Sequence, residues 1–64
     1  MILIPVSSSA ISAVGYDGYM LSVLFHTSNT IYDHPGVPVS VYLGLMAASS
    51  MGTYYNKYIR GKYK

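Results

Sequence analysis

Cysteine and glutamate are both missing from this 64-residue chain, and charged side chains of any kind make up only 9% of it. Without cysteine there are no disulfides and no thiolate metal sites, and the redox compartment cannot be read. Chains below roughly 70–80 residues usually need a disulfide, a metal or a partner subunit besides their own core. With 52% hydrophobic residues and so little charge, self-association is the staple that remains, and a homo-oligomer is expected. No run approaches the ~18 apolar residues of a membrane span. Residues 1–6 are apolar but lack the basic n-region and long h-region of a signal peptide. A membrane partner is therefore not expected.

The scarcity of ionisable groups also argues against catalysis. The acidic residues are Asp17 and Asp33, and the histidines are His26 and His34. The two histidines fall on neighbouring strands but out of register, which leaves no shared metal site. Ser9, His34 and Asp17 form no spacing that marks a nucleophile. The sequence therefore predicts a non-enzyme with no catalytic residues, metal or cofactor.

Where the charge sits matters more than its net value of +2. All four cations (Lys57, Arg60, Lys62 and Lys64) lie in the last eight residues, and both carboxylates lie in the N-terminal half. Cations suit the negative end of a helix dipole, and the same cluster can form an anion site.

The pattern predicts an α+β domain over residues 1–64: a three-stranded antiparallel meander followed by two helices packed on the sheet, in the order β-β-β-α-α. Residues 11–15 form a first strand, closed by the turn cluster Tyr16-Asp17-Gly18. Residues 20–26 form the second, with Leu21, Val23 and Phe25 on one face. Thr27-Ser28-Asn29 makes a turn into a third strand over 30–34. Pro35-Gly36 ends the sheet, and Pro38 suits the first turn of a helix over 38–49.

That helix is apolar on two sides. At ~100° per residue, Val41, Leu45 and Ala48 share one sector while Val39, Leu43 and Met46 share the opposite one. The first sector faces the sheet. The second is expected to face another subunit, or else to be covered by residues 1–5. A second helix starts near Ser50, a plausible N-cap, with Met51, Tyr55 and Ile59 on its apolar side.

On this second helix Asn56, Arg60 and Tyr63 fall within ~60° of one another, flanked by Lys57 and Lys62. An amide, a guanidinium fork matching phosphate and a phenol make this strip a candidate ligand site. Alternatively, Arg60 pairs with Asp17 or Asp33 and Tyr63 covers core. Ser8 and Ser9, in the run Ser7-Ser8-Ser9, are a second candidate, because consecutive backbone N–H groups can nest an anion. Such loops also satisfy their own backbone.

The order Val37-Pro38, Val41-Tyr42, Leu45, Ala48, Ser50-x-Gly52-x-Tyr54-Tyr55-Asn56 and Ile59-Arg60-Gly61-x-Tyr63 resembles the KTSC domain, a module named from the C-terminus of some lysyl-tRNA synthetases. Pro5-Val6-Ser7-Ser8-Ser9, Val14-Gly15-Tyr16-Asp17 and Leu21-x-Val23-x-Phe25 extend the resemblance over nearly the whole chain, here as a stand-alone domain. The resemblance implies nucleic-acid binding and an occurrence in bacterial and phage proteins. It also draws in Tyr32 and His34, which occupy the family's Tyr-x-Tyr motif, with His34 in place of the second tyrosine. Met51 replaces a frequent lysine, which removes one cation.

The expected function is a non-catalytic homo-oligomeric binder of a small phosphorylated or nucleotide ligand. A phage-type sponge that sequesters a nucleotide immune signal would fit this description. The alternatives are an RNA or single-stranded nucleic-acid binding module and a protein-interaction module. The expected location is the cytoplasm, that of a bacterial host cell if the gene is phage-borne.

Overall fold

The computed structural model describes residues 2–28 and 30–63. The sheet has four antiparallel strands in the order of the chain: β1 (Ile4–Pro5), β2 (Ile11–Tyr16), β3 (Leu21–Phe25) and β4 (Ile31–His34). The expectation of three strands is thereby corrected. The extra strand β1 pairs Ile4 with Val14 and Pro5 with Ala13. Two residues are too few to display a period of two, and a proline reads as a strand breaker unless the strand is an edge, which β1 is.

The pattern of alternation places the rest of the sheet. Val14 pairs with Val23 and Tyr16 with Leu21, while Val23 also faces Tyr32 and Leu21 faces His34. These residues line the helix-facing side, where Leu21 and Val23 are fully buried. A register shift between Ile11 and Ala13 lets Ile11, opposite Phe25, return to that same side. The β2–β3 turn is held by Asp17, whose carboxylate accepts the Tyr19 and Met20 backbone N–H groups at 2.9 and 2.7 Å. Those bonds, Met20 first, hold its carboxyl below the ordinary carboxylate range. Asn29, read as part of the next turn, lies outside the described residues, as do Met1 and Lys64.

Helix α1 (Val39–Ala47) starts after Pro38 and turns Leu45 into the core. Tyr16 clamps the helix entry to the sheet: its ring stacks on Tyr42 at 4.4 Å and its hydroxyl donates to the Val37 carbonyl at 2.5 Å. Helix α2 (Met51–Tyr54) is capped by Ser50, whose side chain accepts from the Thr53 N–H. The two helices meet at Gly44, where a Cβ would lie 2.7 Å from Cζ of Tyr54. Only glycine leaves room for that ring against α1.

Helix α2 continues as a π-helical segment (Tyr55–Ile59), closed by a bond from the Arg60 N–H to the Tyr55 carbonyl at 2.8 Å. Met51, Tyr55 and Ile59 are all buried, as their spacing implies. The helix ends there because Arg60 is extended and Gly61 takes a positive φ of 78°, a region open to glycine at little cost. The outward sector of α1 stays open, with Val39 and Leu43 each 57% exposed and Met46 37%. Residues 4 and 5 lie at the sheet edge instead of over it, so the alternative of cover by the N-terminal segment does not hold for them. No helix among the described residues is long and apolar enough to cross a membrane.

Candidate functional site

The end of β3, the outer strand β4 and the π-helical segment enclose a cleft of about 270 Å³. It is lined by Phe25, Thr27, Ser28, Tyr32, Tyr55, Asn56 and Arg60. Its floor is aromatic. Phe25 meets Tyr32 edge-on at 5.6 Å and Tyr55 edge-on at 5.0 Å. Tyr32 keeps 44% of its surface exposed, so one ring is open to a planar partner. The rim is polar, with the amide of Asn56, the guanidinium of Arg60 and the hydroxyls of Thr27 and Ser28. Ser28 accepts from the Thr30 N–H at 3.0 Å and keeps its own proton to donate.

The π-helical turn shapes this rim. Its i→i+5 bonding is rare and recurs at functional sites. Here Asn56 within the turn and Arg60 just past it line the cleft, while Tyr55 and Ile59 stay in the core. Burial pushes the Tyr55 phenol above its ordinary value near 10, and the nearby Arg60 opposes this.

Behind the floor, His34 ties three elements together. Its Nδ1 lies 2.6 Å from the Tyr63 carbonyl and its Nε2 lies 2.7 Å from the Tyr55 hydroxyl. A carbonyl only accepts, so Nδ1 carries the proton, and in the neutral ring Nε2 accepts from Tyr55. Tyr55→Phe would leave that buried nitrogen without a partner and should cost about 1–3 kcal/mol. The check is the urea midpoint, and a shift worth under about 0.5 kcal/mol, the scale of a neutral surface change, would mean that the latch contributes nothing.

The residues singled out from sequence therefore separate. Asn56, Arg60 and Tyr32 come together in the cleft. His34 does not face it: the ring is 8% exposed with both nitrogens engaged, which corrects its reading as a stacking platform. Tyr63 packs against the core, because the chain leaves the helix after Ile59 and the 3.6-residue spacing no longer applies. Lys57 sits 5.4 Å from the ring centroid of Tyr58, in a shallow depression shared with Thr53 and Tyr54. Lys62 is exposed in the turn beyond the helix.

Ser8 and Ser9 line a separate cleft of about 400 Å³ with Ser7, Ser49, Ser50 and Met46. The Ser8 hydroxyl there accepts from the Ala10 and Ile11 N–H groups, both at 3.2 Å. Its carbonyl meets His26 Nε2 at 2.8 Å, so this serine satisfies its own loop. Among the described residues no group of histidines and acids could hold a metal.

Phe25, Thr27, Ser28 and Tyr55 also line this cleft, although their place in the sequence did not single them out. Phe25 and Tyr55 look like core residues by their periodicity, which they also are. The signal available was the shared face of Phe25 and Tyr32 on adjacent strands.

The KTSC domain family profile matches residues 7–63. The chain belongs to the KTSC domain family. The crystal structure of a KTSC domain protein from Yersinia pestis is similar to it, with a TM-score of 0.90 and 35% sequence identity over 98% of this chain and 90% of that one. No curated protein matches the chain. The KTSC match starts at Ser7 and takes in every residue of the aromatic cleft, whereas β1 lies ahead of it. The cleft is thus built wholly from the part of the chain shared with the family.

Proposed function

We propose that this KTSC domain is a non-catalytic homo-oligomeric binder of a small phosphorylated or nucleotide-type ligand, held in the Arg60 cleft. The observation that carries the proposal is that Arg60 and Asn56 line one cleft together with the rings of Phe25, Tyr32 and Tyr55. A guanidinium fork matches phosphate oxygens, an exposed phenol ring stacks on a base, and an amide pairs with a base edge. Retention without turnover would suit a sponge that sequesters a nucleotide immune signal in a bacterial cytoplasm. An RNA strand is the second reading, supported by the open Tyr32 ring.

The experiment is a ¹⁵N–¹H spectral titration with inorganic phosphate and then with nucleoside monophosphates. Shifts confined to Thr27, Ser28, Tyr32, Asn56 and Arg60 are expected. A flat titration with every nucleotide would overturn the reading.

Self-association draws on the open sector of α1. Val39, Leu43 and Met46 form one apolar stripe on a domain with few charges, and burying such side chains contributes about 1.5–3 kcal/mol each. Leu43→Glu should reduce the mass measured by light scattering to that of one chain. An unchanged mass would remove α1 as the interface.

A further inference from the structure

We infer that the Arg60 cleft selects a singly charged phosphodiester beside a base, over a phosphomonoester or a polyphosphate; this rests on the nucleotide reading of the same cleft. Charge sets this preference. Among the described residues that line the cleft, Arg60 is the sole cation and there is no carboxylate. Lys57 lies against the Tyr58 ring in a different depression. Asp33 points to the other side of the sheet, where Ser22 donates to it at 2.5 Å, and Asp17 is tied to its turn.

One guanidinium balances one phosphate charge, and its fork spans the two non-bridging oxygens of a diester. A monoester carries −1.5 to −2 near pH 7, with a second pKa of about 6. Its second charge would enter a cleft walled by Phe25, Tyr32 and Tyr55 with no second cation among the described lining residues to meet it, and aromatic walls strengthen that penalty by lowering the local dielectric. The remaining polar groups, Thr27, Ser28 and Asn56, are neutral donors suited to a sugar or a base edge. Among the described lining residues there is no acid to help hold a divalent cation that would offset a polyphosphate. The same diester chemistry comes from two sources: a free cyclic nucleotide or an internal linkage of a strand.

The test is calorimetric titration of the full chain with 3′,5′-cyclic and 5′-monophosphates of all four bases, ATP, a dinucleotide without terminal phosphate, and an eight-residue RNA, at pH 7.5 and 5.5. A cyclic nucleotide or the dinucleotide is expected to bind several-fold more tightly than the matching monophosphate at pH 7.5. The monophosphate should close most of that gap at pH 5.5, where it loses its second charge. The ionisable side chains around the cleft are Tyr32, Tyr55 and Arg60, with His34 behind Tyr55 and His26 beside Thr27. The cyclic nucleotide does not ionise in this range and so reports any effect of theirs.

Tighter binding of the eight-residue RNA than of any cyclic nucleotide assigns the diester to a strand, and the reverse order assigns it to a free nucleotide. A monophosphate or ATP that binds best at pH 7.5 overturns the inference and leaves the nucleotide reading standing. No binding by any of these ligands overturns both.

Discussion

Leu45→Ala is expected to remove about 2–5 kcal/mol of folding stability, the range found for leucines truncated in close-packed cores. Leu45 is fully buried and packs with Leu21, Val23, Met51 and Ile59 at the centre of a single cluster. At about 0.05–0.15 kcal/mol per residue, a chain of this size has roughly 3–10 kcal/mol in total. The substitution would then remove between about a fifth and all of that stability. Ser40→Ala, on the exposed surface of the same helix, should stay within about 0.5 kcal/mol. Urea denaturation followed by circular dichroism compares the two. Equal midpoints would mean that α1 is not fixed by its inward sector.

Arg60→Ala should weaken nucleotide binding by roughly 10- to 150-fold, the equivalent of one charge-assisted hydrogen bond of about 1.5–3 kcal/mol. The fold should be spared, because Arg60 is exposed and lies past the last residue of the helix. Lys57→Ala provides the contrast. That lysine belongs to the Tyr58 side of the helix, and its loss should change affinity only through long-range charge, which salt screens within ~10 Å. Calorimetry with the best-binding nucleotide reads both variants. Equal affinities in wild type and Arg60→Ala would remove the guanidinium from the site.

The parts of this fold that are legible in the sequence are those where apolar residues recur with the period of their element. Leu21, Val23 and Phe25 alternate with Ser22 and Leu24, so β3 stands out. Met51, Tyr55 and Ile59 recur every fourth residue, so the second helix and its buried side stand out too. The two-sided apolar pattern of α1 also separated the buried Leu45 from the open Leu43.

What was not legible depends on backbone geometry. A two-residue edge strand has no period to detect, so β1 was hidden. The π-helical turn leaves no mark in the composition of Tyr55–Ile59. It nonetheless decides which side chains overhang the cleft, and with the stop at Arg60-Gly61 it takes Tyr63 off the strip shared by Asn56 and Arg60. His34 was misplaced for a related reason. A histidine in an outer strand reads as exposed until the C-terminal Tyr63 carbonyl and the Tyr55 hydroxyl close over it. Asn56, Arg60 and Tyr32 stand out in the sequence by their chemistry and line one cleft in the fold, whereas Phe25 and Tyr55 serve core and cleft at once and show only the core role in their periodicity.

The most direct measurement is native mass spectrometry of the protein purified from cells, followed by denaturation and identification of any small molecule released. The account predicts a homo-oligomer that releases a nucleotide bearing a phosphate, at a defined stoichiometry per subunit. A bare monomer that releases nothing, and that takes up no nucleotide when one is added, would contradict it.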